Sequence, residues 1–280
     1  MHQHHRLHRS RLVRLLQQWT QVQAAPVRAD RADLAEQLSQ WLSTVDAVKL
    51  GRWLHQLESA DGFDGDAADP ASAPDVPALQ AGLDAARAEL SALVVAPPTR
   101  ARPLRERADH TPVPGPDPEM EADFATHAAR YLATQKQMEL RLATLRGEMR
   151  QHLAGGPAAL RRLAALDAAM EQMLAAREQK LWASLPGHLE RRMAHRRMRY
   201  QQQLEAVGQD DDPQRWRAPG GWLHGFEQDL RALLQAELEV RLQPLAGLLE
   251  AAQAWQAAPE GPGQPLGAGD ETATETVTDW

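Results

Sequence analysis

Apolar positions recur every three or four residues along most of this chain, a period that belongs to amphipathic helices. The clearest run starts at Phe124 and continues through Ala128, Tyr131, Gln135, Met138, Leu142, Leu145 and Met149. Alternating steps of four and three put these residues on one narrow seam, so the pattern predicts a long helix packed lengthwise against another. Pro118, with Asp117 before it as a cap, predicts the start of that helix; Gly155, Gly156 and Pro157 after Leu153 predict a reversing turn. The return segment carries Leu160, Leu163, Leu166, Met170, Met173, Leu174, Leu181 and Leu185, a stripe broad enough to face more than one neighbour. An antiparallel hairpin is therefore expected. A parallel homodimer through the seam is disfavoured: with Tyr131 at d and Gln135 at a, Arg141 falls at g and Arg146 at e, where the two would meet across the interface and repel.

Shorter elements precede the hairpin. Ser10 caps a predicted first helix bearing Leu12, Leu15, Leu16, Trp19 and Val22, stopped by Pro26. Leu34, Leu38, Trp41 and Leu42 predict a second helix, and Val48, Leu50, Trp53, Leu54 and Leu57 a third, giving a small N-terminal helical unit over 10–58. Residues 59–116 read as Asp- and Pro-rich linkers on either side of one helix at 77–95, with Leu79, Leu83, Ala86, Leu90 and Leu93 on one face. A bundle of long helices fills 117–258. Within it Pro186 is expected to kink the return helix or restart it over 187–206. Pro244 is expected to break or kink a last helix that begins near 221 and carries Trp222, Phe226, Leu230, Leu233, Leu234 and Leu238. By composition residues 1–9 are a flexible His-rich start and 259–280 a disordered acidic tail. The expected fold class is all-α: a small helical unit, then long antiparallel helices with coiled-coil-like packing.

Composition sharpens this picture. Only 5% of residues are aromatic, so Ala and Leu must do most of the packing, and with Ile absent β-branched residues are scarce. Asn is also absent, and Lys49, Lys136 and Lys180 are the only lysines among 31 basic residues, a bias that points to a GC-rich bacterial genome. The lack of cysteine excludes disulfides, thiolate metal sites and cysteine nucleophiles, and fits a cytoplasmic location. No apolar run approaches the roughly 18 residues of a membrane span. A net charge of −7 weighs against a dedicated nucleic-acid binder, although a local basic face can still grip phosphates.

Few segments suggest chemistry. His2, His4, His5 and His8 have imidazoles that favour Zn, Ni or Cu, but a polar terminus explains them equally and no metal site is assigned. Asp61, Asp64, Asp66 and Asp69 resemble a calcium loop, yet their spacing is wrong and Ser72 stands where the bidentate Glu belongs. At about 100° per residue, Arg191, Arg192, His195, Arg196 and Arg199 fall within one arc of about 140°, with Leu189, Met193, Tyr200 and Leu204 opposite. Such a face is either solvated or offered to phosphates, an anionic membrane surface or an acidic protein segment. Trp216 and Trp222 bracket an RWRAPGGW stretch that reads either as a partner contact or as a turn packed on its own bundle. Asp167 and Arg177 interrupt the heptad line of the return helix; rotation of the true stripe onto Leu166 and Met173 accounts for them more simply than pairing across an interface. No Ser-His-Asp order, glycine-rich phosphate loop or H-E-x-x-H pattern occurs, and no cofactor or catalytic residue is assigned.

RLVRLL (Arg11 to Leu16), DLAEQLSQWLSTVDA (Asp33 to Ala47), ALDAAMEQMLAAREQ (Ala165 to Gln179) with Pro186 beyond it, and AELEVRLQPLAGLL (Ala236 to Leu249) together resemble an uncharacterised bacterial family of helical proteins, a domain of unknown function. The resemblance covers most of the chain but leaves out the Pro-rich linker and the acidic tail. It implies an accessory role beside a stator-like or Tol-like proton channel and an OmpA-like wall-binding protein. With the helical pattern, it supports the expectation of a non-enzymatic cytoplasmic adaptor that presents helix surfaces to partner proteins. Nucleic-acid or anionic-surface binding through the basic face is the alternative, and an enzyme with an unfamiliar site the third reading.

Overall fold

A computed structural model describes residues 10–23, 48–53, 55, 74–96 and 118–257, and no strand occurs among them. The described helices are α1 (Arg11–Gln23), α2 (Val76–Val95), α3 (Pro118–Ala122), α4 (Phe124–Ala154), α5 (Ala158–Val207) and α6 (Trp222–Ala257), with a 3-10 turn at Pro213–Arg215 before α6. Residues 48–53 and 55 are also helical, as expected for the third N-terminal helix. The His-rich start, the Leu34 to Leu42 helix, most of the first linker, the second linker and the acidic tail lie outside the described residues.

The hairpin forms as the seam requires. Tyr131, Gln135, Met138, Leu142, Leu145 and Met149 are all buried along α4. The turn closes through backbone bonds from the Gly155 N–H to the Gln151 carbonyl at 3.1 Å and from the Gly156 N–H to the Leu153 carbonyl at 3.1 Å. Pro157 then sets up α5, because its ring fixes a φ that a helix start accepts. Both seam-flanking arginines find carboxylates within the chain, Arg141 on Glu89 of α2 and Arg146 on Asp167 of α5.

One expectation is corrected, and two alternatives left open are narrowed. The helix expected from Pro118 is interrupted at Asp123, whose extended backbone and carboxylate cap α4 by accepting from the Ala125 N–H at 3.0 Å. The short α3 is held back onto α4 by the Thr126 hydroxyl, which donates to the Met120 carbonyl, and by the His127 ring, which donates to the Glu121 carbonyl. Pro186 does not restart the return helix: α5 runs unbroken for 50 residues. Loss of one backbone bond there is outweighed by burial of Leu185 and Leu189 on either side. Pro244 likewise lies inside an unbroken α6.

The core is built around α6. Its buried residues, among them Leu223, Phe226, Leu230, Leu233, Leu234, Leu238, Leu245 and Leu249, cover far more than one face, and α1, α2, α4 and α5 all pack against it. The α2 helix, set apart by composition inside the linker region, buries Leu79, Leu83, Ala86, Leu90 and Val94 against α4 and α6. The first helix joins the same core through Leu12 and Trp19, and Arg11 reaches Glu239 of α6 at 3.0 Å. After α5, Gly208 adopts φ 64°, a left-handed conformation that closes the helix with a bond from the Gln209 N–H to the Leu204 carbonyl.

Because α6 is central, truncating Leu234 to Ala should cost about 2–5 kcal/mol of unfolding free energy in denaturant titration. The same change at Leu140, 59% exposed on the outer face of α4, should stay within about 0.5 kcal/mol.

Candidate functional site

The most unusual group in the interior is Glu237, a carboxylate with no solvent exposure in a leucine-rich stretch of α6. Position 237 falls on the same face as Leu230, Leu233 and Leu234, so folding carries its side chain inward. There it meets α4. The Tyr131 hydroxyl donates to Glu237 Oε2 at 2.6 Å, and the Gln135 amide donates to both carboxylate oxygens at 3.0 Å. Arg241, one turn further along α6, donates from Nε to Oε1 at 2.8 Å and lies over the Trp182 ring of α5 at 4.4 Å from its centroid. Burial, the carboxylate charge and the hydrogen bond to Glu237 all push the Tyr131 phenol well above its ordinary range, so it stays a protonated donor. Three helices therefore converge on one buried ion pair. A cleft between them, lined by Gln135, Trp182 and Arg241, opens beside it.

A second polar cluster joins the hairpin near its turn. Asp167 accepts from Arg146 Nε at 2.8 Å and from Arg146 Nη2 at 2.6 Å, and from Arg150 at 2.7 Å. Glu171 takes the remaining guanidinium nitrogens of both arginines. Burial alone would raise the Asp167 carboxyl, but the hydrogen bonds and charges of the two arginines hold it below its ordinary value. Pairing across the interface, the less economical reading of Asp167, is thus the one adopted.

The basic face of α5 is divided. Arg192 and Arg196 both point to Asp229 of α6, each donating from Nε to its Oδ2 at 2.8 Å, and Arg192 also covers the Trp19 ring at 5.4 Å. These two positions border the buried stripe of Leu189 and Met193, so they reach inward. Arg191 and Arg199 stay exposed, and His195 is half-buried between them. Burial, then the charges of Arg192, Arg199 and Arg196, lower the His195 pKa against the opposing pull of Asp229; burial and Arg191 lower that of His188. Both imidazoles are consequently neutral near pH 7, and the exterior charge belongs to the arginines.

Trp216 and Trp222 are packed within the chain's own turn. They are 7% and 3% exposed, their rings lie 5.4 Å apart, and Trp216 Nε1 donates to Asp211 at 2.7 Å. Gly221 is required beside them, since a Cβ there would collide with the Trp216 carbonyl. Among the described residues no group of three or more His, Asp or Glu could hold a metal ion, and no helix is long and apolar enough to cross a membrane.

The sequence reading did not anticipate Glu237, Tyr131 and Gln135 as one site. The signals were present separately: Gln135 is the only polar residue in the α4 seam, and Glu237 the only acid on the apolar face of α6 between Leu230 and Leu245.

An all-helical bundle centred on one buried helix, with its charges paired across helix interfaces, is the class of protein that this geometry defines. Its family is likewise recognisable: the chain belongs to the proteins of unknown function grouped as DUF3348, whose family profile matches residues 1–254. No curated protein and no solved structure matches it.

Removing the Glu237 carboxylate by Glu237→Leu leaves Arg241 buried without its partner and should cost about 3–5 kcal/mol in chemical unfolding. Replacing both residues by apolar ones, Glu237→Leu with Arg241→Met, should recover most of that loss. Asp167 makes a pH prediction. Its folded pKa lies below the ordinary 3.8, so its contribution is complete above that value and fades as pH falls through the folded one. Asp167→Asn should therefore destabilise by roughly 2–3 kcal/mol at neutral pH, and the gap to wild type should narrow in thermal unfolding measured progressively below pH 4.

Proposed function

We propose that this protein is a non-enzymatic helical adaptor, acting in the cytoplasm, that docks an acidic segment of a partner protein on the exterior of α5. The observation that carries the reading is the division of the basic face: with Asp229 holding Arg192 and Arg196, Arg191 and Arg199 remain outside with no carboxylate partner among the described residues. Met198, 47% exposed, lies beside them and adds an apolar contact to the charged one. Two arginines flanking an exposed methionine suit a short amphipathic acidic segment, because arginine makes bidentate bonds to carboxylates and methionine adapts to varied apolar surfaces. The resemblance in sequence supports an envelope assembly as the setting and one of its proteins as the partner.

The deciding experiment is capture of partners from the native host by wild type and by Arg191→Gln/Arg199→Gln, with crosslinked peptides sequenced. Those substitutions spare Arg192 and Arg196, so the bundle stays intact. The expected result is an acidic protein segment crosslinked to α5, its affinity falling with salt and about tenfold weaker for the variant. Salt-sensitive submicromolar binding to duplex DNA or RNA, lost in the same variant, would replace the adaptor with a nucleic-acid binder.

A further inference from the structure

A second surface, separate from the α5 exterior, has the opposite chemistry. Where α6 enters between α4 and α5, the three helices leave a cleft of about 530 Å³. Its walls are Leu132 and Ala143 from α4 and Ala175 and Ala183 from α5, with Trp182 and Leu245 deeper in. Ala143 on one wall and Ala175 and Ala183 on the other let another helix approach closely there, and the lining of α4 from Leu132 to Arg146 spans about 21 Å, or four turns.

The charges around this groove are unevenly satisfied. Its two cations are held by the protein's own acids, Arg241 by Glu237 and Arg146 by Asp167 and Glu171. Glu139 and Glu178, one on each wall, line the same groove with exposed carboxylates that no cation bonds directly, although the Glu178 charge acts on Arg146 from a distance. The groove thus combines apolar wall positions with exposed carboxylates and holds no cation without an acidic partner.

We infer that this groove docks a basic amphipathic helix of a partner protein, its apolar side against Ala143, Ala175 and Ala183 and its Lys or Arg heads on Glu139 and Glu178. An acidic helix would meet two exposed carboxylates of like charge, and a purely apolar one would leave both without a bonded cation. The inference does not rest on the α5 exterior, which selects the opposite charge. With both surfaces in use, the chain would hold one acidic and one basic partner at once.

A display library of amphipathic helices of about 18 residues, long enough to fill the groove, in which the polar face is randomised among Lys, Arg, Glu and Gln, tests this on the full chain. The expected selection is of basic peptides. Their binding should weaken about tenfold in Glu139→Lys/Glu178→Lys, by reversal of two rim charges, and be lost in Ala175→Trp, which fills the groove. Circular dichroism of each variant verifies the fold; the Glu139 and Glu178 changes are on exposed side chains. Arg191→Gln/Arg199→Gln should bind the basic peptides as wild type does, which separates this groove from the adaptor surface above. Enrichment of acidic peptides, no enrichment over background, or binding unaltered by Ala175→Trp would overturn the proposal. So would concentration-dependent self-association abolished by Ala175→Trp, since the occupant would then be a second copy of the chain.

Discussion

The arrangement of the bundle depends on one carboxylate that water does not reach. Burying the charge of Glu237 costs several kcal/mol unless its oxygens are fully bonded, and here they accept from Tyr131, Gln135 and Arg241. Tyr131 and Gln135 are one turn apart on α4. A slip of α4 by one turn, about 5.4 Å, would withdraw both donors together. Apolar packing alone tolerates such slips, because one leucine layer resembles the next. The buried pair therefore sets the register of α4 on α6, and Arg241 stacked on Trp182 extends the constraint to α5.

A similar economy governs the rest of the charge. Arg141, Arg146, Arg150, Arg192 and Arg196 each engage a carboxylate on a neighbouring helix. What looks like a continuous basic face in sequence is, in space, half interface and half surface. The surface half is small, in keeping with a net charge of −7 and with the proposed docking of a single acidic segment. The α4–α5–α6 groove follows from the same geometry, because α6 inserted at the core keeps the outer helices from closing over it.

Much of this was legible in the sequence. The four-three seam of α4, the Gly155 to Pro157 reversal and the leucine stripe of α6 gave the hairpin and the last helix, though not its central place, since periodicity and turn chemistry are local properties. Whether the helices continue through Pro186 and Pro244 or stop there was left open: a proline states its local cost, whereas the compensating burial of Leu185 or Leu245 comes from distant helices. The pairing of Asp167 was ranked second for the same reason, because its partners are supplied by α4. Arg192 and Arg196 could not be told from Arg191 and Arg199 until Asp229 was placed beside them, and Trp216 and Trp222 acquire their burial from the turn that brings them together and from Arg197 of α5, which lies over the Trp222 ring.

If the buried carboxylate organises the bundle, its partners must act on it jointly. A double-mutant cycle in chemical unfolding with Tyr131→Phe and Glu237→Gln measures this directly. Coupling of about 1–3 kcal/mol between the two positions is predicted, as for a hydrogen bond to a buried charge. Additive effects, or a Glu237→Gln variant as stable as wild type, would show that apolar packing alone sets the register and would contradict the account.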